Sequence, residues 1–159
     1  MSQTWLSTYT LDLRKDDSKD ASSIGDEDMD ATKVTLRTTQ VKILDKKAML
    51  LPTAAYAINA AKGKDKKYNK IDVGITYLAP FWKDSMWNVG LAIYNQKYPD
   101  ASIQRTDNNY TLSTGFTKPL KDWVTWGVTG TYTKNKSNIE SDAYTKYMVM
   151  TNATFTTNF

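Results

Sequence analysis

The chain has 159 residues, a net charge of +4 and a hydrophobic fraction of 40%, which fits one domain spanning residues 1–159. It contains no histidine and no cysteine. This excludes the His-dependent acyl-transfer, deacylation and protease mechanisms, and metal sites built from those side chains. No apolar run approaches the ~18 residues that a membrane helix requires.

The first strand is predicted at residues 4–14, where apolar and polar side chains alternate with a period of two. Trp5 and Leu11 share the apolar face, and threonines occupy the other. A long acidic loop follows at about 15–31 and leads to a second strand at 32–44. This loop lacks the ligand spacing of an EF-hand, so we predict no metal site there.

The second strand begins with Val34 and Leu36 on its apolar face, but the alternation changes phase near Thr39 and Gln40. A β-bulge at that point would bring the later apolar residues of the strand back to the apolar face. We therefore predict a bulge in the middle of this strand.

Six further strands are predicted from the same alternation. Their apolar faces are carried by Tyr56 to Ala60, Ile71 to Tyr77, Trp87 to Ile93, Tyr110 to Phe116, Val124 to Tyr132 and Tyr147 to Phe159. The long links lie at about 15–31, 61–70, 97–108 and 134–143, and the short turns at about 45–47, 79–85 and 118–122. Eight strands of about ten residues fit the length that spans a bilayer when a strand is tilted.

The aromatic residues occupy two separate levels along these predicted strands. All tryptophans fall at or near the short turns, whereas most tyrosines fall near the long loops. Two aromatic belts that flank an apolar band are expected of a membrane barrel. The predicted membrane-interface aromatics near the short turns are Trp5, Trp82, Trp87, Trp123, Trp126, Phe155 and Phe159.

The polar faces of the predicted strands are rich in threonine, glycine, serine, alanine and asparagine. These side chains are too small and polar to fill a dry core at native packing density. The sequence therefore predicts an all-β fold, an eight-stranded antiparallel up-and-down transmembrane β-barrel with its polar face inside. A soluble lipocalin-like barrel with the faces reversed is the alternative.

The last segment, residues 147–159, alternates strictly up to the final aromatic, Phe159. It resembles the carboxy-terminal strand of bacterial outer-membrane proteins, whose final aromatic is recognised by the barrel-assembly machinery. The resemblance implies a porin-like protein of the Gram-negative outer membrane, with that machinery as a partner. We expect a signal peptide to have been removed and replaced by Met1.

Residues 105–159 are similar to the last hairpins of large outer-membrane barrels such as the surface lipoprotein assembly modifiers. The similarity is carried by Arg105 to Tyr110, the Pro119-Leu120 turn, Tyr132 to Asn138, and Tyr144 with the terminal strand. It implies that the chain could be the carboxy-terminal portion of a larger transport barrel.

Charged residues on the polar faces predict a salt-bridge network inside the barrel, because buried charges without partners are costly. The predicted members of this network are Asp12, Arg14, Arg37, Asp72 and Lys146. A basic loop near residues 61–70 could contact the phosphates of lipopolysaccharide. The lysines predicted to make these contacts are Lys62, Lys64, Lys66, Lys67 and Lys70.

We therefore expect a non-enzymatic, monomeric outer-membrane barrel with a structural or surface-interaction role. Its expected partners are the lipid bilayer and lipopolysaccharide, with no cofactor and no nucleic acid. The many small polar-face residues keep a narrow passive pore as an alternative, although an eight-stranded barrel is normally filled by its side chains. A portion of a larger barrel would instead fail to close between strands one and eight.

Overall fold

The computed structural model describes residues 5–17, 29–44 and 47–156. These residues form one antiparallel sheet of eight strands in chain order, joined by up-and-down connections. The strands are β1 (Trp5–Asp16), β2 (Ala31–Ile43), β3 (Met49–Ala61), β4 (Tyr68–Pro80), β5 (Met86–Tyr98), β6 (Arg105–Lys121), β7 (Val124–Ser137) and β8 (Tyr144–Phe155). The predicted number, direction and order of the strands are confirmed.

The strands are longer than the predicted ten residues, ranging from 12 residues in β1 and β8 to 17 in β6. They extend into segments that the sequence had assigned to loops. Short 3-10 turns at Lys64–Lys66 and Glu140–Asp142 lie in two of the long connections. The predicted terminal residue of β8, Phe159, lies outside the described residues.

The sheet is curled but is not closed by hydrogen bonds. In the part of the chain that the structure describes, β1 pairs only with β2, and β8 pairs only with β7. The curl is evident at one end, where Arg14 of β1 and Arg105 of β6 line the same cavity of about 300 Å³. Closure requires a consistent stagger between the first and last strands, and these two edges share no hydrogen-bonded register.

The predicted bulge in β2 is wrong. One register runs the whole length of β1 and β2, from Trp5 opposite Lys42 to Asp16 opposite Ala31. The change in hydrophobic phase therefore moves Val41 and Ile43 onto the same face as the polar residues. A register shift does occur between β6 and β7, at Pro119 and Lys121, where proline offers no N–H to the ladder.

The two faces of the sheet have an inverted pattern of exposure, seen most clearly in β4. Its apolar side chains point outward and are exposed: Ile71 by 56%, Val73 by 48%, Ile75 by 42% and Tyr77 by 38%. Its polar and small residues, between them, are less exposed. We call the apolar side the convex face and the other side the concave face.

The concave face has no core of large apolar side chains among the described residues. Within the described ranges, the buried hydrophobic residues are four alanines and one tyrosine: Ala31, Ala48, Ala57, Ala61 and Tyr98. Hydroxyl and amide side chains take their place, as in the contact between Thr111 Oγ1 and Thr133 Oγ1 at 3.3 Å. The concave face is therefore mainly polar, although Val41, Met49, Leu51 and Leu78 lie on it toward the ends of the strands that join the short turns.

Glycines on the concave face leave room for side chains from the neighbouring strands. A Cβ on Gly115 would lie 2.7 Å from Asn88 Nδ2 and 3.1 Å from Thr129 Oγ1. We predict that Gly115→Val lowers the free energy of unfolding by about 1–3 kcal/mol, because both neighbours must move. Chemical denaturation of the refolded protein measures this change.

Gly130 provides the matched control, because a Cβ there would meet no atom within 4 Å. Gly130→Val should be neutral or slightly stabilising, since valine favours extended backbone. Equal destabilisation by the two substitutions would contradict the assignment of the crowded face as concave.

Candidate binding surface on the concave face

The charged residues of the concave face gather near one end of the sheet, where β1, β3, β5 and β7 end. We call this the long-loop end, and the opposite end the short-turn end. The strand register places these charges on one face. They are Asp12, Arg14, Asp16, Lys33, Arg37, Lys70, Asp72, Arg105, Asp107 and Lys146.

One group of these residues is organised around Arg105, and we call Arg105, Asp107, Asp142 and Tyr98 the Arg105 cluster. In the guanidinium group, Nη1 lies 3.0 Å from Asp142 Oδ2, and Nε lies 3.1 Å from Asp107 Oδ2. Its carbon lies 3.8 Å from the ring centre of Tyr98, and that ring contacts Tyr68 at 5.7 Å. The cluster joins β5, β6 and the β7–β8 connection.

The Asp107 contact is an ion pair by distance but does not have the geometry of a hydrogen bond. Arg105 Nε and Asp107 Oδ1 are buried and have no hydrogen-bond partner among the described residues. Buried polar atoms of this kind are uncommon in folded proteins. They make the cluster sensitive to the loss of either charge.

The Arg105 cluster lies beyond the apolar band of the convex face, where the outward residues are Lys97 and Thr106. Burial raises the pKa of the Tyr98 phenol, although Arg105 opposes the shift. Burial alone would lower the pKa of Arg105, but Tyr98 and Asp107 outweigh it, and its pKa is raised. A neutral Tyr98 and a charged Arg105 are therefore maintained at physiological pH.

The five residues of the predicted salt-bridge network all lie on the concave face, but no two of them are ion-paired with each other. Arg14 Nε contacts Asp16 at 2.5 Å, and Asp72 contacts Lys70 at 3.5 Å. Both pairs lie along one strand, because residues two apart share a face. Asp12 and Lys146, on the edge strands, make no ion pair among the described residues.

A small cavity lies on the concave face over β3, between the side chains of β2 and β4. Its volume is about 90 Å³. Arg37 and Asp72 both line this cavity, but they do not form an ion pair with each other. Its lining is Lys33, Thr35, Arg37, Ala55, Ala57, Lys70 and Asp72.

Four of the five lysines predicted to contact lipopolysaccharide lie at the long-loop end, at or beyond the end of β3. Lys62 contacts Asp30 at 2.6 Å, and Lys67 contacts Asp100 at 3.5 Å. Lys64 and Lys66 belong to a 3-10 turn. Lys70 differs, because it faces the concave side, with its ammonium 3.8 Å from the ring centre of Tyr94.

The predicted interface aromatics within the described residues lie at the short-turn end. Trp87 and Trp126 donate hydrogen bonds from Nε1 to Thr114 and Thr151, at 3.0 and 2.9 Å. Trp123 stacks on Phe155 at 6.2 Å. Trp5 lies beneath the ammonium of Lys42 at 5.2 Å, and Trp82 beneath that of Lys118 at 5.0 Å.

The sequence interpretation missed the Arg105 cluster because it assigned residues 97–108 to a loop. Arg105 and Asp107 continue the alternation of β6 on the concave side, opposite Tyr98 and Gln96. The continued alternation before Tyr110 was the sequence signal that could have placed Arg105 and Asp107 in the strand. The contact with Asp142 crosses 37 residues of chain and could not be read from local spacing.

The described residues contain no group of three or more His, Cys, Asp or Glu side chains arranged to hold a metal ion. In the same residues, no helix is long and apolar enough to cross a membrane. Comparison with protein-family models, curated proteins and solved structures found no match.

Proposed function

We propose that the chain is a membrane-spanning β-sheet that forms the wall of an outer-membrane barrel and has a structural, non-enzymatic role. The observation that carries this proposal is the inverted exposure of the two faces. The convex face exposes large apolar side chains, including Leu11, Leu36, Val73 and Leu91, while the concave face shields polar ones. A membrane barrel requires this arrangement.

In water, this exposed face would be unfavourable. Monomeric soluble proteins rarely expose contiguous apolar patches larger than a few hundred Å², roughly. Here the exposed apolar residues continue across strands, as in Ile75 beside Leu91 and Ile93 beside Tyr110. Acyl chains would cover this surface and provide it with an apolar environment.

The aromatic residues support the same proposal. Tryptophans lie at the short-turn end of the convex face, and Tyr132 and Tyr147 lie 5.1 Å apart toward the long-loop end. Aromatic side chains at both levels would sit at the headgroup regions of a bilayer. The long-loop end would then face outward, with the loop lysines near lipopolysaccharide. The carboxy-terminal strand would be the segment recognised by the barrel-assembly machinery.

Refolding the purified chain into detergent and lipid vesicles tests the proposal. The expected result is heat-modifiable migration on a gel and co-flotation with vesicles. A protein that folds without detergent and stays unbound to vesicles would overturn it. Planar-bilayer recording then separates the structural role, which is electrically silent, from a passive pore, which gives stable conductance steps.

The open edges favour a second candidate, that the chain forms part of a larger barrel. All described residues of β8 and all but the last residue of β1 are exposed. An edge strand in a membrane must be paired, since lipid offers no hydrogen bonds to backbone groups. Additional strands inserted between β1 and β8 would satisfy both edges.

Cross-linking distinguishes a closed eight-stranded barrel from the larger barrel. The native chain has no cysteine, so introduced pairs are unambiguous. Leu11→Cys should not cross-link within one chain to cysteines placed in turn at Tyr147, Val149, Thr151 and Ala153. Leu11→Cys with Leu36→Cys is the positive control, because these residues are opposite each other. Efficient intramolecular cross-linking of β1 to β8 would contradict this second candidate.

A further inference from the structure

The cavity between β2 and β4 combines empty volume with unbalanced positive charge. Lys33 and Arg37 approach it from β2, and Lys70 approaches it from β4. The register places Ala55 between Arg37 and Asp72, and Ala57 between Thr35 and Lys70. The small alanine side chains of β3 leave open the space toward which the longer side chains extend.

The side chains that line this cavity carry more positive than negative charge. Three cations face one acid, and that acid, Asp72, contacts Lys70 at 3.5 Å. Lys33 and Arg37 form no hydrogen bond or ion pair within the described part of the chain. Like charges held close together are unfavourable unless a counter-charge joins them.

We propose that this cavity, which we call the phosphate cavity, binds inorganic phosphate. A guanidinium offers a planar fork of donors that matches an oxyanion, and the ammonium groups add single donors from other directions. The volume of about 90 Å³ exceeds the roughly 10–15 Å³ that a cavity needs to hold one water molecule. It is suited to one small tetrahedral ion and not to an extended organic anion.

Asp72 makes the site selective between two oxyanions of similar shape. An ionised carboxylate accepts hydrogen bonds and donates none. Inorganic phosphate carries at least one proton at neutral pH and can donate it to Asp72 in a hydrogen bond, whereas sulfate carries none. Asp72 therefore favours phosphate and repels sulfate.

Equilibrium dialysis of the detergent-solubilised protein with radiolabelled phosphate or sulfate tests the site. The native protein is expected to bind phosphate saturably and more tightly than sulfate. Lys33→Gln with Arg37→Gln should weaken phosphate binding at least about tenfold, the effect of losing a charge-assisted hydrogen bond. The matched control is Lys134→Gln with Lys136→Gln, which removes two charges from the convex side of β7, where both lysines are exposed.

Asp72→Asn gives a result of opposite sign, which a misfolded variant could not produce. Sulfate should bind this variant more tightly than it binds the native protein, and the preference for phosphate should be lost. No saturable phosphate binding, an equal loss in the control, or an unchanged preference in Asp72→Asn would each overturn the proposal. Binding in detergent does not depend on the membrane proposal, so the two can fail separately.

Discussion

Val73→Lys should lower the free energy of unfolding of the vesicle-embedded protein by about 2–4 kcal/mol, the cost of a lysine at the bilayer midplane. Val73 lies at the middle of the convex face of β4 and is 48% exposed. In lipid, the ammonium would enter the hydrocarbon region or distort the bilayer around it. Chemical denaturation in phosphocholine vesicles, followed by tryptophan fluorescence, measures the change.

Asn69→Lys is the matched control on the same face of the same strand. Asn69 lies at the long-loop end, four residues before Val73, where the cost of a lysine falls to about 0–1 kcal/mol. If the convex face were in water, both substitutions would have small effects, because surface substitutions usually change stability by less than about 0.5 kcal/mol. Equal effects at the two positions would therefore count against a bilayer around the convex face.

Arg105→Ala is expected to destabilise the protein by about 3 kcal/mol, because it leaves a buried carboxylate without its counter-charge. Asp107 is only 6% exposed, and Arg105 is its ion-pair partner. The substitution also removes the cation that lies over the Tyr98 ring. Denaturant titration of the refolded variant gives the loss directly.

Two further variants separate the charge effect from lost packing. Asp142→Asn should cost less than about 1 kcal/mol, since partly exposed ion pairs contribute little. Adding Asp107→Asn to Arg105→Ala should recover part of the stability, because the orphaned charge is then gone. A double variant that is less stable than Arg105→Ala alone would disprove the role assigned to Asp107.

The strands were predictable because their side chains alternate with a period of two, which is a local property of the sequence. The same reasoning failed in β2, where Val41 and Ile43 are apolar but lie on the concave face. Hydrophobicity was taken there as a sign of the convex face. Backbone pairing with β1 determines the register instead. The fold tolerates these apolar side chains on the concave face.

The faces of the charged residues were predictable, but their partners were not. Asp72 contacts Lys70, two residues away on the same strand, although the expected partners of the acids were the basic members of the predicted network, Arg14, Arg37 and Lys146. β3 lies between the strands of Arg37 and Asp72, and the two inter-strand spacings add up to roughly 10 Å. Arg105 and Asp142 meet only because a connection folds back over the end of the sheet, and no local pattern encodes that contact.

The neighbour-to-neighbour topology of the sheet has a consequence for the order in which the protein folds. Each strand pairs with the strand next to it in the chain, so every hairpin can form without waiting for a distant segment. Loop-closure entropy is then small at each step. The sheet can grow outward from any central hairpin, and β1 and β8, which each have one neighbour, would join last and separate first.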